Sequence, residues 1–215
     1  MFFHVISVGK DILAVNRELA EKNRRLFEKY GVRAFDFMGS IGSGKTSLIE
    51  EMIKRLREKG VRVAAITGDV SGDDDAKRLA SLGINVENLN TGKECHLDAH
   101  LIEHAIEKLN LDSIDVLFIE NVGNLVCPAD FPLGTEKRLV VISVTEGDDM
   151  VRKHPVIFGT SDIAVLNKVD LAEVMGVDIA RIEEDYKRIN PNGVFIKTSA
   201  KTGEGIDELI RALGL

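Results

Sequence analysis

A mostly parallel, doubly wound α/β sheet of the P-loop type is the fold class this sequence predicts. Short β-branched or aromatic runs alternate with helical patterns almost throughout, which is the signature of βαβ units. The segment Gly39-Ser40-Ile41-Gly42-Ser43-Gly44-Lys45-Thr46 matches G-x-x-x-x-G-K-[ST] between one such strand and one such helix. No repeat, low-complexity tract or Pro/Gly/Ser linker divides the chain. With 215 residues, 44% of them hydrophobic and 29% charged, one domain over 1–215 is expected.

The elements follow in order. Ile12, Leu13, Val15, Leu19, Leu26 and Phe27 recur at helical spacing in a charged segment, so an amphipathic helix is expected at about 10–30, closed by Gly31. Strands are expected at 34–38, 61–67, 115–120, 139–145, 163–167 and 194–198, each a compact apolar run suited to a buried parallel sheet. Helices are expected at 45–58, 74–82, 94–109, 177–189 and 204–213. Such a sheet binds ligands beyond the carboxyl ends of its strands, so the loops after Met38, Thr67, Glu120, Thr145, Asn167 and Thr198 are the places to look.

Composition removes several alternatives. Apolar runs are broken by charge well before the roughly 18 residues a membrane span needs. The start Met1-Phe2-Phe3-His4 lacks the basic lead of a secretory signal. A net charge of -7 disfavours nucleic acid, which needs clustered Lys/Arg. Cys95 and Cys127 are too few for a disulfide framework, so a reducing, cytoplasmic setting without membrane association is expected.

The glycines of the P-loop let backbone N–H groups and a helix N-terminus face phosphates, giving Gly39, Ser40, Gly42, Ser43, Gly44, Lys45, Thr46 and Ser47 as the cradle. Lys45 is expected at the β- and γ-phosphates and the Thr46 hydroxyl on Mg²⁺. Glu120 ends an apolar run with Gly123 in E-x-x-G spacing, so it is the candidate carboxylate for Mg²⁺ or for orienting water. Asp69 and Asp75 are further candidates, with a helix N-cap as the competing reading, and Asp73 and Asp74 are expected at the surface. There is no glutamine in the chain, so a Gln-oriented water is excluded and slow hydrolysis is expected.

Asn167-Lys168-Val169-Asp170 is an N-K-x-D element at a strand end. A carboxylate at Asp170 accepts from guanine N1–H and N2–H₂, an arrangement adenine cannot offer, so GTP is the expected nucleotide. Ser199-Ala200-Lys201 follows the last strand, where a backbone N–H can meet guanine O6.

Thr91-Gly92-Lys93-Glu94 has capping-box spacing, predicting a helix that starts just after Thr91 and carries Cys95 in its first turns. His96, His100 and His104 then fall at i, i+4, i+8 on one helical face. Cys127 lies just beyond the Glu120-x-x-Gly123 element. Cys95, His96 and Cys127 make three metal ligands, and a water, His100 or a second subunit must complete a four-ligand shell for zinc or nickel. An isologous dimer with the metal at its seam satisfies that count.

These stretches resemble the HypB family, GTPases that assist nickel insertion into hydrogenases, with UreG as a close relative. The resemblance rests on Gly39 to Thr46, Gly68-Asp69-Val70, Asp75-Ala76-Lys77-Arg78, Gly92 to Ala99, Glu120 to Pro128, and Asn167 to Asp170. It implies a SIMIBI-class GTPase that forms a homodimer when GTP is bound and carries Ni²⁺ or Zn²⁺ at the interface. It implies Cys95, His96 and Cys127 as ligands for that metal, while His100 and His104 stay possible additional ligands on the helical spacing alone. Lys45, Thr46, Asp75 and Glu120 then serve phosphate and Mg²⁺, and Lys153 contacts phosphate across the dimer. The implied partners are a hydrogenase maturation protein such as HypA and the hydrogenase large subunit. A UreG-like GTPase serving urease and a zinc-stapled nucleotide-binding module are the alternatives. The start of the chain lacks the cysteine-rich or histidine-rich motif of some family members, so nickel storage is not expected.

Overall fold

The computed structural model describes residues 8–215, with side chains from Ile12 onward. The part of the first helix expected before Ile12 therefore has no described side chains.

Seven strands form one all-parallel sheet: β1 (Arg33–Gly39), β2 (Val63–Asp69), β3 (Asn85–Asn90), β4 (Val116–Glu120), β5 (Lys137–Ser143), β6 (Ile163–Asn167) and β7 (Val194–Lys197). Their order is β3-β2-β4-β1-β5-β6-β7. Nine α-helices join them among the described residues: α1 (Val8–Tyr30), α2 (Lys45–Glu58), α3 (Asp74–Ala80), α4 (Ala99–Lys108), α5 (Met150–Lys153), α6 (Pro155–Thr160), α7 (Ala172–Met175), α8 (Ile179–Ile189) and α9 (Ile206–Ala212). None is long and apolar enough to cross a membrane.

Strand alternation sorts the core into two faces. Phe35 and Phe37 of β1 and Phe118 of β4 pack with Leu48, Ile49 and Met52 of α2 and Leu209 of α9. On the opposite face, Ala34 and Ile119 meet Phe27 of α1 and Ile102 of α4, while Met38 and Val140 meet Ile157 of α6 and Tyr186 of α8. α1 is fastened by two buried asparagines. Asn16 donates to Pro132 O at 2.9 Å and accepts from Ala99 N at 2.8 Å. Asn23 donates to Ala99 O at 2.8 Å and to Leu133 O at 3.2 Å.

Three expectations change. The strand Asn85–Asn90 is absent from the sequence reading because NVENLN is polar; it lies at the sheet edge, where apolar faces are not required. The short helices α5, α6 and α7 were likewise not anticipated. The helix expected over 94–109 begins only at Ala99. Gly92 sits at φ +69°, in the left-handed region, so a right-handed helix cannot start after Thr91. Asp98 is the N-cap instead, accepting from Leu101 N at 2.8 Å.

Candidate functional site

After β1 the chain turns through the P-loop into α2, whose first residue is Lys45. Gly44 has φ +94°, and a Cβ there would overlap the Asn167 amide. Lys45 is buried, its Nζ donating to Ser40 O at 3.1 Å and Gly39 O at 3.4 Å. Burial pulls its ammonium below the usual lysine range, opposed by Glu120, Asp75 and Glu146. Thr46 Oγ1 donates to Glu120 Oε1 at 2.8 Å. Glu120 is buried, and its Oε2 has no hydrogen-bond partner among the described residues. Burial pushes its carboxyl up from 4.5 to about 7; Lys45 opposes that shift and Asp75 adds to it.

These groups line a cleft of about 550 Å³ together with Ser47, Asp69 and Asp75. Arg78, which the sequence reading did not single out as a site residue, also lines it, and its guanidinium bridges Glu50, Asp75 and the Ser47 hydroxyl. Asp69 accepts from Val70 N at 2.6 Å. Asp73 precedes α3 but makes no side-chain cap, and both Asp73 and Asp74 are exposed.

A second cleft of about 360 Å³ adjoins the first, lined by Asn167, Lys168, Asp170, Ser199, Ala200 and Lys201 as well as Gly44 and Ser47. Asn167 is a buried tie: Nδ2 donates to Ser43 O at 2.9 Å, and Oδ1 accepts from Thr198 Oγ1 and Ala200 N, each at 3.2 Å. Lys168 has φ +61° and donates to Gly42 O at 2.7 Å. Asp170 is exposed at the rim. Lys153 is exposed on α5, paired with Asp149 at 2.6 Å, and lines neither cleft.

The late start of α4 corrects the arrangement expected of the histidines. Cys95 and His96 lie in the loop before the helix, not on the face shared by His100 and His104. The ligand atoms of Cys95, His96 and Cys127 all lie within 4.8 Å of one another. Cys95 Sγ is 2.8 Å from Cys127 Sγ and 3.8 Å from His96 Nδ1. No helix dipole lowers the Cys95 thiol; the hydrogen bond shared with Cys127, together with burial, holds it above the usual thiol range. The His96 ring packs on Phe131 at 3.9 Å, and burial lowers its pKa, favouring the neutral imidazole that binds metals. His100 and His104 form a separate exposed pair, Nε2 to Nε2 3.3 Å.

Cys95 also lines the P-loop cleft, so the two candidate sites share a wall. Asn121, Val122 and Gly123 continue that wall, and the chain runs on from them to Cys127. Asn124 N donates to Gly39 O at 2.9 Å, and Asn124 Oδ1 accepts from Val126 N at 2.7 Å and Cys127 N at 3.4 Å. Gly123 lies so close to Ile41 of the P-loop that a Cβ would overlap it. Asn121 and Asn124 were not singled out by the sequence reading as site residues, since an asparagine beside a Walker-type acid carries no motif of its own.

Residues 34–197 match the CobW/HypB/UreG nucleotide-binding domain family. A probable hydrogenase maturation factor HypB of Methanocaldococcus jannaschii is 59% identical over 96% of this chain and 93% of its own length. The crystal structure of HypB from Archaeoglobus fulgidus superposes with a TM-score of 0.87 at 49% identity, covering 94% of this chain and 98% of that one. HypB from Helicobacter pylori, solved in complex with nickel, gives a TM-score of 0.87 at 34% identity, covering 92% and 93%.

Proposed function

The chain belongs to the HypB branch of the CobW/HypB/UreG family, and on that premise we propose that it is a GTP-hydrolysing metallochaperone of [NiFe]-hydrogenase maturation. In this reading GTP-dependent dimerisation controls the binding and delivery of Ni²⁺ or Zn²⁺. The observation that carries it is the shared wall: Cys95 of the Cys/His cluster lines the cleft built by Lys45, Thr46 and Glu120.

Lys45 and the P-loop amides neutralise the β- and γ-phosphates, and the Asp170 carboxylate selects guanine through N1–H and N2–H₂. Thr46, Asp75 and Glu120 fit Mg²⁺: their donors are all oxygen, and Glu120 Oε2 is buried without a partner among the described residues. When bound, Mg²⁺ supplies neutralisation of the charge developing on the transferred phosphoryl group. Asp75 or Glu120 orients the attacking water in place of the absent glutamine.

The nickel or zinc ion is cargo, held by Cys95, His96 and Cys127 with a second copy of the chain completing the shell. His100 and His104 offer a weaker two-imidazole contact on the adjoining helix. Three exposed apolar side chains support a partner surface here: Ile41 (84% exposed) and Val70 (42%) on the cleft rim, and Val126 (62%) beside Cys127. Lys153 then reaches phosphate across the dimer. The clients are a maturation partner such as HypA and the hydrogenase large subunit, met in the cytoplasm.

The test is solution mass by light scattering for nucleotide-free, GDP-bound and non-hydrolysable GTP-bound protein, each with and without Ni²⁺ or Zn²⁺, combined with single-turnover GTP cleavage. The expected result is a dimer and stronger metal retention with the GTP analogue, a monomer with GDP, and phosphate release from GTP. Identical mass and metal retention in all nucleotide states overturns the reading.

A further inference from the structure

Asp36 is an acid at the middle of the central strand, fully buried, and no step of nucleotide or metal binding uses it. Its neighbours explain its presence. Oδ1 accepts from Asn121 Nδ2 at 3.2 Å, and Oδ2 faces Arg138 Nε at 3.6 Å; neither of those last two atoms has another partner among the described residues.

The two neighbours lead outward to different loops. Asn121 Oδ1 accepts from Leu97 N at 3.0 Å, fixing the residue that follows Cys95 and His96. Leu97 is itself buried and fills the space beside Gly68, so that loop has an apolar anchor and a polar one. The Arg138 guanidinium donates to Ala129 O at 3.2 Å and to Pro128 O, fixing the two residues that follow Cys127. One largely buried chain of polar groups, Leu97–Asn121–Asp36–Arg138–Pro128/Ala129, therefore crosses β4, β1 and β5 and ties both cysteine-bearing loops to the sheet.

Leaving charged and amide groups in a core is costly unless they are paired, and apolar residues would stabilise this face without that cost. Placing them where they clamp two loops 32 positions apart, whose sulfurs meet at 2.8 Å, gives the cost a purpose. We propose that Asp36, Asn121 and Arg138 are positioning residues that set the separation of the two halves of the thiolate–imidazole site. The inference rests on the metal-binding reading of Cys95, His96 and Cys127.

Co²⁺ is the probe, because thiolate ligation gives a sulfur-to-cobalt charge-transfer band whose intensity reports ligand number and geometry. Purified full-length chain is titrated with Co²⁺ as wild type, Cys127→Ser, Asp36→Asn and Arg138→Lys. Lysine keeps the charge facing Asp36 but cannot fork to two carbonyls. Binding of a fluorescent GDP analogue checks that each variant is folded. Expected is loss of the band in Cys127→Ser, and in Asp36→Asn and Arg138→Lys a Co²⁺ affinity about tenfold weaker or more, the scale of outer-shell changes at metal sites, with an altered band and unchanged GDP binding. If a single variant does not fold, the charge-free pair Asp36→Asn/Arg138→Met carries the same expectation. Wild-type affinity and spectrum in the folded variants, with the band lost in Cys127→Ser, overturn the positioning role alone. A wild-type spectrum in Cys127→Ser overturns the metal site and this inference with it.

Discussion

Glu120→Gln removes a carboxylate that burial pushes from 4.5 to about 7 while keeping the side chain's shape. Between those two values the folded chain holds a proton on Glu120 that the unfolded chain has already released. Stability contributed by this residue is therefore lost as pH rises through the window, and above it the folded state carries the full cost of a buried charge. The shift from 4.5 to about 7 corresponds to about 3 kcal/mol. Glutamine does not titrate, so the variant escapes the loss. In nucleotide-free protein with EDTA, Glu120→Gln is expected to be the more stable of the two, by little near pH 5 and by roughly 2–3 kcal/mol more near pH 8. Urea denaturation across that range measures the gap. Under the proposed function, adding Mg²⁺ and GTP is expected to narrow or reverse the gap, because the wild type alone offers the second carboxylate oxygen to the ion. A gap between variant and wild type that is the same near pH 5 and near pH 8 refutes the reasoning, since it removes the titration of Glu120 as its source.

Two further outcomes follow from named contacts. Under the proposed function Asp170→Asn replaces an acceptor for two guanine donors; at about 1.5 kcal/mol for each charge-assisted bond, GTP affinity is expected to fall about 100-fold, checked by calorimetry. Xanthine nucleotides, with a carbonyl where guanine has its amino group, are expected to gain affinity, and unchanged GTP binding shows the base lies elsewhere. Asn23→Leu withdraws the donor from Ala99 O and Leu133 O and is expected to cost about 2 kcal/mol, or roughly 4–8 °C in Tm by scanning calorimetry. An unchanged Tm shows that the two Asn23 hydrogen bonds contribute nothing to holding α1.

What the sequence made legible is what depends on local chain chemistry. The P-loop helix starts at Lys45 as expected, because glycines and a following apolar stripe specify that turn by themselves. β6 likewise matches at Ile163–Asn167, an unbroken apolar run ending in a polar motif. The start of α4 was misread because Thr91 and Glu94 have the spacing of a cap, while the deciding fact is the left-handed φ of Gly92. Glycine permits that conformation without announcing it. With it went the expectation that His96 shares a face with His100 and His104. Asp36, Asn121 and Arg138 were not legible at all: their pairing spans 85 and more positions, and only the strand order β4-β1-β5 places them side by side.

Alternation at the end of β4 puts the P-loop contact and the contact to the Cys95 loop on consecutive residues. Phe118 and Glu120 point to the α2 face, where Glu120 meets Thr46; Ile119 and Asn121 point the other way, where Asn121 meets Asp36 and Leu97. A rigid link transmits nothing by itself, since coupling requires contacts that differ between two nucleotide states. Asp36 and Asn121 are 0% and 1% exposed in a packed core, which leaves little room for a second arrangement. Under the proposed function the difference therefore enters at the half-buried part of the strip, where Ile41 abuts Gly123 and Gly39 bonds Asn124. That strip runs between two fixed points, Asn121 at one end and the Arg138-bound Pro128 at the other. Cys127 lies within it, immediately before the second anchor, so under the proposed function a shift of the strip is expected to change the thiolate separation while the Cys95 side stays fixed by Leu97.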